Sequence, residues 1–359
     1  MNHKPKLLYI IGPNFCVNSL ARESLEILSK KYQVICISEG PLINNSYFKH
    51  ITIHFERLPS IFTDFRCLLQ LVKIIYINRD ASKIVISTPK ISFIAAIACR
   101  LNLKSYIYLH RGAVYQNFKG IKFKIYKSID KFTIKGSKNT TFISKSLHSW
   151  VIKKLNLKYL KYNRKFNSSK GVNLTKFFPG TRVMDPQKII IGFCGRIVRD
   201  KGFEELINLA KMYRNDPSVV IKIKGKIELS QNDHFILNQL ITDNIIEYSE
   251  WDDNVVSFFQ SIDILFFPSK REGFGNVLIE AAASGVPSIG YRIPGVIDAI
   301  VEYKSGLLID IDTDILHVLK KIISNKQDLV ELFSQARSTA EANFDQNLVL
   351  EDIHRSMGL

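Results

Sequence analysis

The stretch Arg271-Glu-Gly-Phe-Gly-Asn-Val-Leu-Ile-Glu280, continued by Ala-Ala-Ala-Ser-Gly-Val-Pro287, decides how this chain is read. Before it, Asp263-Ile-Leu-Phe-Phe-Pro268 is a short apolar run that predicts a buried strand. Gly273 and Gly275 then predict a turn, and the residues beyond predict a helix. A strand feeding a glycine turn that opens a helix leaves the backbone N–H groups of Phe274, Gly275, Asn276 and Val277 for phosphate or sugar oxygens. Glu272 in the turn and Glu280 in the helix are separated by about 12 Å of helical rise. A looped first carboxylate folds back, so the two acids reach opposite ends of one extended polar ligand.

Outward from this unit, strands and helices alternate in both directions. Toward the N-terminus, strands are predicted at Lys6–Ile11, Gln33–Ser38, Ile51–Phe55, Ile84–Ser87, Ser105–Leu109 and Thr140–Ile143. Helices are predicted at Asn18–Lys31, Phe62–Asn78, Pro89–Leu101, Lys119–Lys135 and Lys145–Leu155. Pro179-Gly180 and Asp185-Pro186 mark a connection. Alternation restarts with strands Lys188–Phe193, Val219–Lys224, Ile245–Tyr248, Ser288–Gly290 and Gly306–Leu308. Between and after them, helices are predicted at Phe203–Tyr213, His234–Leu240, Asn254–Gln260, from Val296, Ile315–Ser324, Asp328–Phe344 and Gln346–Ser356. Repeated βα units imply an α/β protein with parallel sheets, ligands meeting the carboxyl ends of the strands.

Glu272–Glu280 resembles the E-x7-E motif of the GT-B retaining glycosyltransferases of family 4. Two further segments carry the resemblance in the same order. Ile190-Ile-Gly-Phe-Cys-Gly-Arg196-Ile-Val-Arg-Asp-Lys201-Gly202 is similar to the family's strand and "G-R-L…K-G" segment, and Ser168-Ser-Lys-Gly-Val-Asn173-Leu-Thr-Lys-Phe177 to its "N-G-V-D…F" signature. The resemblance is strong over about 165–310 and diffuse over 1–160. It implies a GT-B fold of two Rossmann-like, doubly wound domains facing a central cleft. Their expected limits are 1–178 for the acceptor side and 185–343 for the nucleotide-sugar side, with a helix at 344–359 returning toward the first.

The resemblance also implies roles for individual residues. Arg196 and Lys201, between a strand and the start of a helix, neutralise the donor diphosphate. Glu280 accepts from ribose hydroxyls and Glu272 from hydroxyls of the donor sugar. His110 ends a strand in Tyr106-Ile-Tyr-Leu-His-Arg-Gly112, where related enzymes carry a histidine close to the reacting sugar; a structural histidine is the alternative. Gly12, in Ile11-Gly-Pro-Asn14, stands where the family has a glycine-rich loop near the diphosphate. The transfer is expected to retain configuration by front-face attack. The two glutamates do not read as a glycosidase pair, since those acids flank one bond across a cleft. No cofactor is expected, the nucleotide sugar being a substrate. No essential metal is expected either: Asp310-Ile-Asp312-Thr-Asp314 contains D-x-D, but helix capping accounts for Asp312 or Asp314.

Composition sets the setting. The 359 residues are 46% hydrophobic and 23% charged, as in globular proteins of two domains. No apolar run is long enough to span a bilayer, and the first strand follows directly on Met-Asn-His-Lys-Pro-Lys, which argues against a signal peptide. The five cysteines (Cys16, Cys36, Cys67, Cys99, Cys194) have no metal spacing and predict buried, reduced thiols of the cytoplasm. The net charge of +17 is unevenly placed: residues 1–180 carry 31 Lys and Arg against 7 Asp and Glu, and residues 181–359 carry 19 against 26. Between 119 and 170 there are fifteen basic residues, interleaved with aromatics, and one acid, Asp130. Such a face is drawn to an anionic leaflet.

The expectation is therefore a cytoplasmic enzyme held at the inner face of the plasma membrane. It moves a sugar, expected from a UDP donor, to a polyprenyl-diphosphate-linked glycan, in bacterial O-antigen or capsule assembly. A GT-B enzyme with a soluble acceptor or other nucleotide-sugar chemistry is the alternative. A nucleic-acid-binding protein ranks lower, because no recognition-helix or RNP-type pattern is present.

Overall fold

The structure, a computed structural model, describes residues 4–42, 46–56, 59–185, 187–252, 254–325 and 334–359. It divides into two compact units, Met1–Lys165 with Leu350–Leu359, and Phe166–Val349.

In the first unit the strands are β1 (Lys6–Pro13), β2 (Gln33–Glu39), β3 (Lys49–Ile53), β4 (Lys83–Ser87), β5 (Ile107–His110) and β6 (Asn139–Phe142). They form one sheet in the order β3-β2-β1-β4-β5-β6, every pair parallel. Its helices are α1 (Asn14–Cys16), α2 (Arg22–Ser29), α3 (Ile61–Ile77), α4 (Pro89–Leu101), α5 (Gly120–Gly136) and α6 (Lys145–Leu155). The helix predicted from Asn18 to Lys31 is present but irregular: a π-helical turn at Val17–Ala21 joins α1 to α2 without a gap.

The second unit repeats the plan. Its strands β7 (Ile189–Cys194), β8 (Val219–Lys224), β9 (Ile246–Ser249), β10 (Ile264–Phe267), β11 (Ser288–Tyr291) and β12 (Gly306–Ile309) pair, all parallel, as β12-β11-β10-β7-β8-β9. Numbered within each unit, both sheets run 3-2-1-4-5-6, the doubly wound order. The helices are α7 (Phe203–Met212), α8 (Gln231–Thr242), α9 (Val255–Gln260), α10 (Asn276–Ala283), α11 (Ile315–Ser324), α12 (Ala336–Phe344) and α13 (Gln346–Met357). Sheet residues such as Leu8, Ile10, Val85, Ile191, Leu265 and Phe266 are fully buried, because helices cover both faces of each sheet. Side-chain oxygens of Ser60, Ser144, Ser230 and Asp314 accept from first-turn N–H groups of α3, α6, α8 and α11. Asp310 pairs with Arg292 at 3.0 Å, so D-x-D contributes a cap and an ion pair.

Two expectations change. The first boundary falls at 165/166 and not at 178, because Phe166–Phe178 is tied into the second unit. Asn167 Nδ2 donates to Asp298, Val172 bridges Asp345, the Phe177 ring packs on Phe259, and Arg337 donates to the Phe177 carbonyl at 2.6 Å. The segment from Val296 is a series of turns, its amides bonded three or four residues back, and no helix propagates. Of the helix predicted at Asp328–Phe344, residues 328–333 lie outside the described residues, and the described part is α12. Helix α13 begins in the second unit and belongs to the first from Leu350 onward. Among the described residues no helix is long and apolar enough to cross a membrane. All five cysteines are buried and form no disulfide, and burial pushes the thiols of Cys36, Cys67 and Cys99 up to about 12.

Candidate active site

In a 3-2-1-4-5-6 sheet the connections leave strands 1 and 4 in opposite directions, which opens a crevice above their carboxyl ends. In the second unit those strands are β7 and β10. Every residue expected to hold the donor, apart from Gly12, follows one of these two strands.

The turn after β7 and the turn after β10 are cross-linked. Lys201 Nζ donates to Glu272 Oε1 in a short ion pair and reaches the Arg271 carbonyl at 3.5 Å. Arg271 Nη2 pairs with Asp200 at 2.7 Å, and the Lys270 amide donates to the Asp200 carbonyl. Burial works to raise the Asp200 carboxyl, but the hydrogen bond from Arg271 and the charges of Arg271, Lys201 and Arg196 outweigh it and hold the group below the ordinary range. Arg196 therefore stands within the field of the same cluster; its guanidinium also bonds Glu228 at 2.9 Å and is one-third exposed.

Gly202 makes this approach possible. Its φ is +87°, and a Cβ there would lie 2.4 Å from the Pro268 carbonyl. Gly225 has a similar task between β7 and β8: its Cβ would fall 1.7 Å from the Gly195 carbonyl. The two loops are zipped by Gly195 N–H to Lys224 O and Ile197 N–H to Lys226 O, each 2.9 Å. Lys224-Gly225-Lys226 thus reads as a packing requirement that fixes the base of Arg196.

Glu280 sits in α10, 8% exposed. Its carboxylate pairs with Lys170 at 3.5 Å and bears on the Cys194 thiol at the end of β7, which burial chiefly, then Glu280, pushes up. Lys170 belongs to the quoted Ser168–Phe177 segment, yet no role was read for it. Its signal was a lone lysine in a run of small polar residues facing an acid 110 positions away.

At the start of α10 fewer amides are free than expected. The Gly275 N–H donates to the Gly295 carbonyl at 3.3 Å and the Asn276 N–H to the Phe274 carbonyl, while the Phe274 side chain is buried against Phe344. The Asn276 side chain is used as well as its main chain: its Oδ1 accepts from Ser169 Oγ at 2.6 Å.

The two candidates of the first unit are His110 and Gly12. His110 has no exposed surface; Nε2 bonds Asp130 at 3.0 Å, and the ring lies between Tyr108 and Phe142. Tyr115 donates to the same Asp130 oxygen at 2.8 Å. His110 thus ends its strand as expected and forms a buried His–Asp pair, with Tyr115 of the loop after β5 on the same carboxylate. The Gly12 N–H is not free for phosphate, donating to Thr88 Oγ1 at 2.9 Å. Arg111 is buried beside them, bonded to Ser87, Tyr9 and the Leu20 carbonyl.

Comparisons with known proteins agree with this architecture. Residues 178–339 match the family described as "Glycosyl transferases group 1". The capsular polysaccharide biosynthesis glycosyltransferase CapM of Staphylococcus aureus is 28% identical over 356 residues, covering 93% of this chain and 92% of CapM. Among solved structures, sucrose-phosphate synthase from Thermosynechococcus elongatus superposes with a TM-score of 0.79 at 15% identity, covering 98% of each chain. HepE from Anabaena, solved with UDP and glucose, gives 0.76 at 13% identity, covering 99% of each. The chain thus has the GT-B fold, and its residues 178–339 are similar to the group 1 glycosyl transferases.

Proposed function

We propose that this chain transfers a sugar from a UDP-linked donor, with retention of configuration, to a lipid-carried glycan during assembly of a bacterial surface polysaccharide such as capsule or O-antigen. The observation that carries this reading is the convergence of Lys201, Glu272, Arg196 and Glu280 on the carboxyl ends of β7 and β10. The similarity to CapM supports the polysaccharide setting, and the UDP held by HepE supports the donor.

In this reading the diphosphate lies against Arg196 and Lys201, and Glu280 accepts from the ribose hydroxyls with Lys170 holding its carboxylate in place. Without donor, Lys201 and Glu272 neutralise each other. When the diphosphate takes Lys201, Glu272 is released to accept from hydroxyls of the donor sugar. The N–H groups of Phe274 and Val277 add neutral donors. The bond from the anomeric carbon to the diphosphate breaks, the acceptor oxygen bonds the same face of that carbon, and the acceptor proton passes to the departing phosphate oxygen. The two cations stabilise the charge that develops there. They supply the role a divalent ion has elsewhere, so turnover is expected to persist with a chelator. The enzyme works at the cytoplasmic face of the membrane, where a polyprenyl-diphosphate acceptor is anchored.

The test is transfer of labelled sugar from UDP-, GDP- and dTDP-sugars to lipid extract and to water-soluble oligosaccharide. Label in the lipid phase from a UDP donor, lost in both Glu280→Ala and Arg196→Ala, is expected. Undiminished transfer by both variants removes the site from the reaction, and label only in the soluble acceptor removes the lipid.

A further inference from the structure

Helix α3 departs from the rule for a surface helix, which turns its apolar side inward and its polar side to water. Its inward side is ordinary: Cys67, Leu71 and Ile75 are fully buried. Its outward side is apolar as well. Ile61, Phe62, Phe65, Leu69, Tyr76 and Ile77 are each more than half exposed, Phe62 reaching 90%. Phe62, Phe65, Leu69 and Tyr76 follow one another at intervals of three, four and seven, which places them along one face. With 17 residues, α3 carries this stripe over about 25 Å. Soluble proteins rarely leave so continuous a patch uncovered without using it.

Charge identifies what covers it. Arg66 and Lys73 are exposed within the stripe itself. The one carboxylate of α3, Asp64, is paired with Lys90 at 2.5 Å. Helix α4 has no acidic residue, and Asp130, the only one of α5, is buried beneath His110 and Tyr115. Helices α3, α4 and α5 lie on one face of the sheet, as right-handed crossovers from β3 through β6 require, and α4 packs against both neighbours. The outer surface of this layer therefore joins an apolar ridge to the basic side chains of Arg66 and Lys73. Two copies meeting through this surface would bring like charges together, whereas an anionic bilayer satisfies both features at once.

We infer that the outer face of the α3–α4–α5 layer is a membrane-docking surface, with the stripe of α3 lying in the plane of an anionic leaflet. Phe62, Phe65 and Leu69 enter the boundary between headgroups and acyl chains, Tyr76 sits at headgroup depth, and Arg66 and Lys73 contact lipid phosphates. Neither the basic segment 119–170 nor the ridge suffices alone, since stable peripheral binding takes two signals. The inference goes beyond the proposed transfer and rests on none of its steps.

The test is flotation of the full chain with phosphatidylethanolamine vesicles containing phosphatidylglycerol, beside vesicles of phosphatidylcholine alone. The chain is expected to float with the anionic vesicles and not with the neutral ones, and 0.5 M salt (on the order of a 4 Å screening length) is expected to weaken binding. Phe62→Ser with Phe65→Ser should lower the partition coefficient about tenfold or more, and Arg66→Gln with Lys73→Gln about fivefold per charge removed. The single variant Phe62→Ser, at the most exposed position, guards against a folding defect and should show an intermediate loss at an unchanged melting temperature. Unaltered flotation of both double variants overturns the inference. So does light scattering that finds a wild-type dimer turned monomeric by Phe62→Ser/Phe65→Ser without any change in vesicle binding.

Discussion

Gly225→Ala tests how the C-terminal unit builds its crevice. The added Cβ would lie 1.7 Å from the Gly195 carbonyl oxygen, so the loops after β7 and β8 must part by about 1.3 Å to reach even the tightest contact real Cβ atoms show. That displacement stretches Gly195 N–H to Lys224 O and Ile197 N–H to Lys226 O well beyond their present 2.9 Å. At about 1 kcal/mol for each backbone bond lost, the unit should be destabilised by about 2–3 kcal/mol. Gly195 precedes Arg196, so the guanidinium moves too, and losing one charge-assisted contact to the donor diphosphate should weaken binding about ten- to a hundredfold. Urea titration reads the first effect and calorimetry with a UDP-sugar the second. A variant that unfolds at the wild-type midpoint and binds donor equally well would refute the reasoning. Lowered stability with unchanged affinity would keep the steric argument and take Arg196 off the diphosphate.

Three further outcomes follow from other parts of the molecule. Arg164→Met leaves Asp352 paired with the exposed Arg355 in place of its buried cation and should cost about 2–3 kcal/mol in denaturant unfolding, since Arg164 also donates to the Phe142 and Ile143 carbonyls. His354 is buried against Ser24, and burial, with a smaller effect from Lys31, lowers its pKa to about 4. The folded state therefore favours the neutral ring: the contribution is complete above about pH 6.5 and is lost as pH falls toward 4. Over that window stability should decline by about 3 kcal/mol, and the decline should be shallower in His354→Gln when midpoints are compared across pH. Lys170→Met removes a cation paired with Glu280 and should raise the donor dissociation constant about tenfold by calorimetry with the melting temperature little changed.

Much of this was legible in the sequence, for definite reasons. Runs such as Leu7–Ile11 and Ile264–Phe267 are buried on both sides, so they announce strands without any alternation. The donor crevice could be read because its glycines and charges lie close to strand ends, where local spacing and spatial proximity coincide. What escaped was long-range. Lys170 meets Glu280 across 110 positions, and Ser169 meets Asn276 across 107. The closing of Phe166–Phe178 onto the second unit depends on Phe259, Asp298 and Asp345. His110 ends a strand as expected, but its burial is decided by Asp130 and Tyr115, which no local pattern ties to it. The exposure of α3 was hidden for a further reason: its sequence is apolar almost throughout, and apolarity alone does not say which side faces water.

Because the first unit is completed by Leu350–Leu359, it cannot finish folding in the order in which it is synthesised. Leu350, Ile353 and Met357 fill its interior and Asp352 receives Arg164, so residues 1–165 alone lack part of their hydrophobic filling and a counter-charge. On the ribosome, roughly 180 residues of the other unit emerge before those missing pieces arrive. The earlier unit must wait, incompletely sealed, while the later one closes. An N-terminal fragment ending near residue 165 should accordingly aggregate, and supplying 346–359 as a separate peptide should improve its solubility.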